Sequence, residues 1–327
     1  MMTKHRDRRP VLGITLGDPG GIGPEILLKA LRRKPASPVV VFGSKKVLIH
    51  HSRALGVPFL PRGVRLVDVD NVPRPAFGPN TEINGRASVQ YLEAAFQAYR
   101  EGRIDALVTG PIHKESWHAC GYRYPGQTEY CAGQTGAADF CMLMAGRSFR
   151  IALLSTHDSL RGALKKVTRA AIERRIRLLH TEFRALGFAR PRIGCAALNP
   201  HAGERGAFGD EEIRVIAPAL EALKAGGIEV DGPIAPEVIF RQAAESKKWD
   251  VILAMYHDQA MIPLKLLDFE HSANVTLGLP LIRTSPDHGT AFDIAGTGKA
   301  NPGSMLFAIR LAADWTRRRM RSKEALR

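Results

Sequence analysis

The sequence predicts an α/β fold with substantial parallel sheet. Short apolar runs with β-strand character alternate with longer segments in which apolar residues recur at helical spacing. Hydrophobic residues make up 45% of the 327 residues and charged residues 24%, which is typical of a folded protein with one or two cores. The alternation indicates strands joined by helical connections.

The predicted elements follow in order along the chain. A first strand ends before Gly17, and further strands are predicted at 39–42, 106–109, 151–155, 193–198, 251–255 and 275–277. Helices are predicted at 24–33, 87–101, 168–186, 211–225 and 236–245. Pro24 suits the first turn of a helix because proline has no N–H to leave unpaired there.

Three predicted strands run directly into polar clusters, each of which contains a histidine. His157, His201 and His257 follow the strands at 151–155, 193–198 and 251–255. Ligands bind at the carboxyl ends of strands in open α/β sheets, so the three clusters are expected to converge. Three neutral imidazoles form a plausible divalent-metal set, although a single histidine at such a position is more often structural.

The segment GDPGGIGPE at 17–25 leaves the first strand and opens a helix, where it either receives an anion or simply turns the chain. It lacks the third glycine of the dinucleotide fingerprint, because Ile26 stands at that position. An ordinary Rossmann site is therefore not predicted.

The net charge of +15 suggests a nucleic-acid partner, but its distribution argues against one. Residues 1–10 hold four basic residues against one acidic, and residues 315–327 hold six against one. The basic segment at 161–184 has Ile172, Ile176, Leu179 and Phe183 at helical spacing, so its charges are expected on an exposed helix face. No recognition motif accompanies these charges, and a basic surface also attracts phosphorylated substrates.

Four scattered cysteines, no apolar run of membrane-spanning length and no signal-peptide pattern predict a cytoplasmic protein without disulfides or a membrane segment.

Several further residues offer groups for binding an acidic ligand. Gln127 and Thr128 lie in a polar loop, while Lys265, Asn274 and Arg283 follow the His257 cluster and provide two cations and an amide. The glycine-rich stretch at 287–302 would allow close approach of a flat ligand. Its candidate contacts are His288, Gly289, Thr290, Ala291 and Asn301.

The stretch at 287–302 resembles the cofactor loop of the isopropylmalate and isocitrate dehydrogenases, which bind nicotinamide dinucleotides without a Rossmann fingerprint, and we call it the cofactor loop. A wider set of motifs, from 17–25 through 108–114, 126–129, 155–157, 198–204, 231–233 and 255–259 to 274–293, resembles the 4-hydroxythreonine-4-phosphate dehydrogenase family. These motifs occur in family order over roughly residues 11–305.

The resemblance assigns roles to individual residues. His157, His201 and His257 match the family's metal ligands, and Gln127, Thr128, Lys265, Asn274 and Arg283 match its substrate contacts. Gln127 stands where the family pattern has histidine, and glutamine forms hydrogen bonds but does not titrate near neutrality, so related acids are kept as alternative substrates. Asp258 and Lys265 are candidates for the general base, and Asp258 can instead orient His257.

The resemblance also implies an isocitrate/isopropylmalate dehydrogenase-like fold with two α/β domains and an active site in the cleft between them. The expected boundaries place 1–130 and 295–327 in the first domain and 131–294 in the second. The family forms homodimers in which His257 is expected to join the metal site of the partner.

The implied reaction is oxidation of 4-phosphohydroxy-L-threonine at C3 with NAD or NADP and one divalent ion, Zn²⁺, Mg²⁺, Mn²⁺ or Co²⁺. The product then loses carbon dioxide to give 3-amino-2-oxopropyl phosphate, in pyridoxal 5'-phosphate synthesis. A relative acting on D-threonate or D-erythronate 4-phosphate, or on a dihydrodiol carboxylate, is the nearest alternative. A non-catalytic, basic nucleic-acid-binding protein is an alternative from another class.

Overall fold

The computed structural model describes residues 8–32, 35–79 and 81–325, so Lys4, Arg6 and Arg327 of the predicted basic ends lie outside the described residues. The strands are β1 (Leu12–Thr15), β2 (Val39–Gly43), β3 (Arg65–Asp68), β4 (Ala106–Thr109), β5 (Cys141–Ala145), β6 (Arg150–Leu153), β7 (Ile193–Ala196), β8 (Val230–Ile234), β9 (Val251–Ala254), β10 (Ala273–Leu277) and β11 (Ile282–Pro286). The helices are α1 (Gly23–Leu31), α2 (Lys45–Leu55), α3 (Thr81–Arg100), α4 (Lys114–Ala119), α5 (Gln127–Thr135), α6 (Leu160–Lys166), α7 (Arg169–Ala185), α8 (Ala217–Ala225), α9 (Pro236–Ser246), α10 (His257–Asp268) and α11 (Gly303–Ala325).

These elements confirm the predicted α/β class, and they form two compact units. The first contains the described residues up to Ala138 together with Leu279–Arg321, and the second contains Asp139–Gly278 and the described end of α11. The sequence placed the boundaries at 130/131 and 294/295. The return to the first unit occurs earlier because β11 pairs in parallel with β4.

In the first unit, the described strands run parallel in the order β3-β2-β1-β4-β11. Strand β1 pairs with β2 on one side and with β4 on the other. The chain passes from β1 to β2, so the loops after β1 and β4 run in different directions and mark a topological switch point of the sheet. The cofactor loop follows the neighbouring β11. The three loops that carry candidate residues therefore share one edge of this sheet.

In the second unit, the described strands have the order β10-β5-β6-β9-β7-β8. The β10-β5 and β5-β6 pairs are antiparallel, and β6, β9, β7 and β8 are parallel. The strands β6, β9 and β7 precede the three histidine clusters, so these clusters emerge from neighbouring strands at the same edge.

Helix α7 confirms the prediction of an amphipathic helix for 169–184, whereas Arg161, Lys165 and Lys166 of the basic segment lie on the separate helix α6. Ile172, Ile176, Leu179 and Phe183 are fully buried, and Thr168 caps the helix by accepting a hydrogen bond from the N–H of Ala171 at 3.2 Å. The arginines lie between the buried positions, as expected for an amphipathic helix.

The helix predicted at 211–225 is interrupted. A π-helical turn occupies Glu212–Ile216 before α8 begins. Proline has no N–H, so Pro218 cannot form the α-helical hydrogen bond to the carbonyl of residue 214. This loss disfavours continuous α-helical bonding at this point. Among the described residues, no helix has the length and apolar character needed to cross a membrane.

Candidate active site

His157 and His257 lie close together at the ends of β6 and β9. Their ring centroids are 5.9 Å apart, and both rings line an open pocket with Thr156, Asp158 and Tyr256. The adjacency of two parallel strands produces this pairing, because their carboxyl ends emerge side by side. The predicted convergence thus holds for these two histidines.

Two of the three candidate imidazoles have a carboxylate within hydrogen-bond distance of Nδ1. Asp258 Oδ1 is 2.7 Å from His257 Nδ1, and Glu237 Oε1 is 2.9 Å from His201 Nδ1. A carboxylate at Nδ1 favours the tautomer whose lone pair is on Nε2, which is the arrangement that metal-binding histidines commonly adopt. The donor chemistry therefore fits a metal ion.

His201 lies on an unusual stretch of backbone after β7. Residues 201–205, here the left-handed turn, all have positive φ, with values of 51° for His201, 55° for Ala202, 44° for Glu204 and 56° for Arg205. This conformation costs roughly 1–2 kcal/mol for each non-glycine residue, so the surrounding structure must stabilise it. Glycines at 203 and 206 were the only sequence signal for it.

Within the residues that the structure describes, no three His, Cys, Asp or Glu side chains of one chain form a group that could hold a metal ion. The single chain brings His157 and His257 together and does not complete a three-histidine site.

The other candidates of the second unit lie on α10 and β10. Lys265 places its Nζ 5.1 Å from the ring centroid of Phe269. Asn274 is half-buried, and its Oδ1 has no hydrogen-bond partner among the described residues. A buried amide oxygen without a partner is uncommon and is available to a ligand.

Arg283 is the centre of a buried polar cluster in the first unit. Its side chain is 2% exposed, its Nη2 donates to Thr109 Oγ1 at 2.7 Å, and its Nη1 lies 3.5 Å from Thr128 Oγ1. Burial lowers the pKa of the guanidinium because it penalises the charged form. A bound anion would stabilise this buried cation.

Gln127 extends this cluster, which we call the anion site: Arg283, Thr109, Thr128 and Gln127. Its Nε2 donates to the carbonyl of Gly110 at 2.9 Å, whereas its buried Oε1 has no partner in the described part of the chain. Gln127 and Thr128 also begin α5, and the N-terminus of a helix favours negative charge. The sequence analysis grouped Arg283 with Lys265 and Asn274, but these two residues belong to the other unit, and within the first unit Arg283 lies with Thr109 and Thr128.

The cofactor loop has the open backbone that a flat ligand requires. A side chain at Gly289 would meet nothing within 4 Å, Ala291 has a φ of 39°, and the Nδ1 of His288 is 3.0 Å from the carbonyl of Gly289. Asn301 is exposed, and its Oδ1 accepts a hydrogen bond from the N–H of Gly303 at 2.8 Å. These features fit a nicotinamide dinucleotide, and Asn301 also stabilises the start of α11.

Helix α1 holds the cofactor loop through Glu25 and Lys29. The fully buried carboxylate of Glu25 accepts hydrogen bonds from the N–H groups of Gly296 and Ala300, at 3.0 and 3.1 Å. Lys29 pairs with Glu25 at 2.7 Å and donates to the carbonyls of Gly298 and Ala300. The sequence analysis did not single out this contact, since 271 residues separate Glu25 from Gly296.

The loop at 17–25 is joined to the cofactor loop and contains a buried acid. The N–H of Ile22 donates to the carbonyl of Thr290 at 2.9 Å. Asp18 is 1% exposed, its Oδ1 accepts from the N–H of Gly20 at 2.9 Å, and burial raises its pKa to about 6. His51 is also buried, which lowers its pKa to about 4, and its neutral Nε2–H donates to the carbonyl of Pro19 at 3.1 Å.

A family model described as pyridoxal phosphate biosynthetic protein PdxA matches residues 34–312. A 4-hydroxythreonine-4-phosphate dehydrogenase of Beijerinckia indica is 45% identical over 309 residues, which cover 90% of this chain and 91% of the relative. A D-threonate 4-phosphate dehydrogenase of Pectobacterium atrosepticum is 39% identical over 323 residues, covering 92% of this chain and 98% of the relative.

A solved structure has a closely similar fold. The crystal structure of 4-hydroxythreonine-4-phosphate dehydrogenase from Klebsiella pneumoniae superimposes with a TM-score of 0.86 at 39% identity, over 94% of this chain and 98% of that one.

Proposed function

Because the chain belongs to the PdxA family of pyridoxal phosphate biosynthetic proteins, we propose that it oxidises 4-phosphohydroxy-L-threonine at C3 with NAD or NADP. The β-keto acid formed then loses carbon dioxide and becomes 3-amino-2-oxopropyl phosphate. The enzyme is a dehydrogenase, as its relatives are, so the nucleic-acid-binding alternative is not favoured. The observation that carries the proposed substrate is the buried cation of the anion site.

The anion site binds an acidic group of the substrate in this proposal. Arg283 offers a planar guanidinium whose donors are already oriented by Thr109, and Thr128 adds a hydroxyl at the N-terminus of α5. Such an arrangement suits a phosphate or carboxylate, which needs several donors held in fixed directions. An anionic ligand would add charge-assisted hydrogen bonds to those that the buried guanidinium already makes with Thr109 and Thr128.

His157, His201 and His257 would hold a divalent ion. Such an ion supplies Lewis-acid polarisation of the substrate hydroxyl, which lowers the pKa of that hydroxyl. Asp258 and Glu237 fix the orientation of two of these imidazoles through Nδ1. Since Asp258 already contacts His257, we assign it this positioning role and assign proton transfer from the hydroxyl to Lys265.

The cofactor loop would hold the nicotinamide dinucleotide, which accepts the hydride from C3. Gly289 and Ala291 permit close approach of its rings, and His288 offers an aromatic surface and a hydrogen bond. Glu25 and Lys29 keep the loop ordered before the dinucleotide arrives.

We further propose a homodimer in which His257 of the partner subunit completes the metal site. Helix α10 begins at His257, and its Ile262, Leu266 and Phe269 are 61%, 80% and 69% exposed at helical spacing. An exposed apolar face of this kind marks an interaction surface. A second copy that packs on it would bring its own α10, and therefore its own His257, to this surface.

A substrate panel tests the proposed reaction. The purified, metal-loaded enzyme is assayed for NADH and NADPH formation with 4-phosphohydroxy-L-threonine, D-threonate 4-phosphate, D-erythronate 4-phosphate and the unphosphorylated acids. We expect the highest kcat/KM with 4-phosphohydroxy-L-threonine and a large loss without the phosphate. Equal turnover of unphosphorylated acids, including a dihydrodiol carboxylate, would contradict the assignment of the anion site.

Gln127 bears on the choice between 4-phosphohydroxy-L-threonine and D-threonate 4-phosphate, which is the second candidate substrate. Gln127 stands where the family pattern has histidine, and a D-threonate 4-phosphate dehydrogenase is 39% identical to this chain. A Gln127→His variant measures the contribution of this position. For each protein, the ratio of kcat/KM for 4-phosphohydroxy-L-threonine to kcat/KM for D-threonate 4-phosphate is measured. If this ratio differs between wild type and Gln127→His, position 127 selects the substrate. An unchanged ratio would show that it does not.

A further inference from the structure

We propose that Glu212 is a positioning residue that presents His201 to the metal by stabilising the left-handed turn. This inference rests on the proposed metal site and concerns a residue that does not touch the metal itself. Glu212 begins the π-helical turn Glu212–Ile216 and is 4% exposed, although its side chain is a carboxylate. Buried carboxylates require hydrogen-bond donors, and here the donors belong to the segment just before His201.

The contacts of Glu212 fix the chain just before the left-handed turn. Its Oε1 accepts from the N–H groups of Leu198 and Asn199, both at 2.8 Å, and its Oε2 accepts from Nδ2 of Asn199 at 2.8 Å. Two backbone donors and one side-chain donor therefore converge on a single carboxylate. This arrangement sets the direction in which the chain enters residue 201.

Glu212 also lies close to the left-handed turn itself, at Gly203. A Cβ atom added at Gly203 would lie 2.8 Å from Oε2 of Glu212 and 2.9 Å from the carbonyl of Gly209, so only glycine fits there. The turn is closed by the N–H of Phe208, which donates to the carbonyl of Gly203 at 3.2 Å. The carboxylate of Glu212 thus lies against the turn at Gly203, where a side chain would clash with it.

The need for such support follows from the backbone conformation. His201, Ala202, Glu204 and Arg205 occupy the left-handed region, where a side chain approaches its own backbone too closely. Residues in such conformations persist only where neighbouring contacts determine them, and they are concentrated at functional sites. With the turn in place, Glu237 reaches Nδ1 of His201 and leaves Nε2 for the metal.

The adjacent Glu211 provides a matched control. Its Oε2 accepts from Nδ2 of Asn199 at 2.6 Å, whereas the backbone N–H groups of 198 and 199 both donate to Glu212. Loss of the Glu211 carboxylate removes one side-chain hydrogen bond and leaves the backbone contacts of Glu212 intact. A general effect of lost negative charge would appear in both variants.

The test compares wild type, Glu212→Gln, Glu212→Ala, Glu211→Gln and His201→Ala. Zn²⁺ affinity is measured by competition with a chromophoric chelator, and hydrogen exchange of 198–206 is measured without metal. We expect Glu212→Ala to weaken Zn²⁺ binding by about 10- to 100-fold and to accelerate exchange in this segment, since loss of an outer contact typically has effects of this size. Glu212→Gln should be intermediate, and Glu211→Gln should match wild type.

A second substitution separates loss of the turn from general unfolding. Glycine adopts positive φ without strain, so Ala202→Gly in the Glu212→Ala background should recover part of the Zn²⁺ affinity. Far-UV circular dichroism and thermal unfolding check that each variant is folded. A merely unfolded variant would not be rescued by one glycine.

The outcomes separate this inference from the proposed reaction. If Glu212→Ala keeps the Zn²⁺ affinity and the hydrogen-exchange rates of wild type, the inference is wrong and the proposed reaction is unaffected. A Glu212-dependent Zn²⁺ affinity in a protein that oxidises none of the proposed acids would support the inference and overturn the substrate. If wild type binds Zn²⁺ no more tightly than His201→Ala, His201 does not hold the ion, and both the inference and the proposed three-histidine metal site are overturned.

Discussion

Asp18 illustrates how a single buried group affects the stability of the molecule. Its carboxylate is 1% exposed, and Oδ2 has no hydrogen-bond partner among the described residues. Burial raises its pKa from 3.8 to about 6, so the folded state prefers the protonated form. The folded protein therefore binds more protons than the unfolded chain between these values, and stability falls as the pH rises from about 4 to about 6.

Asp18→Asn should remove this dependence. The amide keeps an oxygen that accepts from Gly20 and carries no charge, so we expect the variant to be more stable than wild type above pH 6, by at most about 3 kcal/mol. Below pH 4 the two proteins should differ little. Urea unfolding at intervals from pH 4 to pH 8 measures this, and parallel curves for the two proteins would contradict the raised pKa.

Arg283 is the residue on which the substrate assignment depends. Arg283→Lys keeps the positive charge but loses the fork of donors that Thr109 and Thr128 orient. Hydrogen bonds to charged groups contribute about 1.5–3 kcal/mol, so we expect kcat/KM for the phosphorylated substrate to fall by roughly 10- to 150-fold. Steady-state kinetics give the value, with the exposed Arg86→Lys as the control.

At the scale of elements, helix α1 and the cofactor loop act together. Glu25→Gln retains one acceptor oxygen and removes the buried charge that pairs with Lys29. We expect this variant to lose about 1–3 kcal/mol of stability and to bind NADH more weakly, because Gly296 and Ala300 donate to different oxygens of Glu25 and one of the two N–H groups loses its acceptor. Denaturant unfolding and quenching of NADH fluorescence are the measurements.

Glu82→Gln is the control for this experiment. Glu82 also forms an i,i+4 pair, with Arg86, but both side chains are exposed, so its loss should change stability by less than about 1 kcal/mol. If Glu25→Gln behaves like Glu82→Gln in both measurements, α1 does not hold the cofactor loop.

Sequence periodicity predicted only the elements with a clear local pattern, and it missed β3, β5, β8, β11, α2, α4, α5, α6, α10 and α11. The strand at 106–109 and the helix at 236–245 lie within a residue of β4 and α9. The left-handed turn was not predicted, because it depends on Glu212 and Gly209, which reach it from outside the segment. The role of Glu25 was missed for the same reason, since its partners follow 271 and 275 residues later.

The candidate site was only partly predictable for a related reason. Positions at the ends of strands can be read from the sequence, and they led to His157, His201 and His257. Their hydrogen-bond partners Glu237 and Asp258 depend on side-chain directions that three-dimensional packing decides. Asp258 is the neighbour of His257 in sequence and was found, whereas Glu237 is 36 residues from His201 and was not.

At the scale of the whole molecule, the basic C-terminal segment is part of the fold. Helix α11 continues to Ala325, and Arg319 is 9% exposed and donates to the carbonyl of Leu279 at 2.9 Å. At least one of the arginines counted towards a charged tail is therefore structural. This finding explains part of the basic composition without a nucleic-acid partner.

The proposed dimer predicts complementation between two inactive variants. His201→Ala and His257→Ala should each be inactive, but a heterodimer of the two holds one intact site if His257 of the partner subunit completes it. After unfolding and refolding of an equal mixture, about a quarter of wild-type activity is expected, because half of the dimers are mixed and each has one site. A site built within one chain would give no activity.

Leu266→Arg tests the surface on which this dimer depends. Leu266 is 80% exposed on α10, and a charge there should prevent packing of a second copy, giving a monomer by light scattering. Phe59→Asp, at an exposed apolar position of the first unit, should remain dimeric. Dimeric Leu266→Arg would exclude α10 as the interface.

The most direct measurement is NADH or NADPH formation from 4-phosphohydroxy-L-threonine by metal-stripped and metal-restored protein, beside His201→Ala. We expect the stripped enzyme to be inactive, activity to return when Zn²⁺, Mg²⁺, Mn²⁺ or Co²⁺ is added, and His201→Ala to stay inactive at every metal concentration. Full activity without metal, or in His201→Ala, would contradict the proposed metal-dependent oxidation.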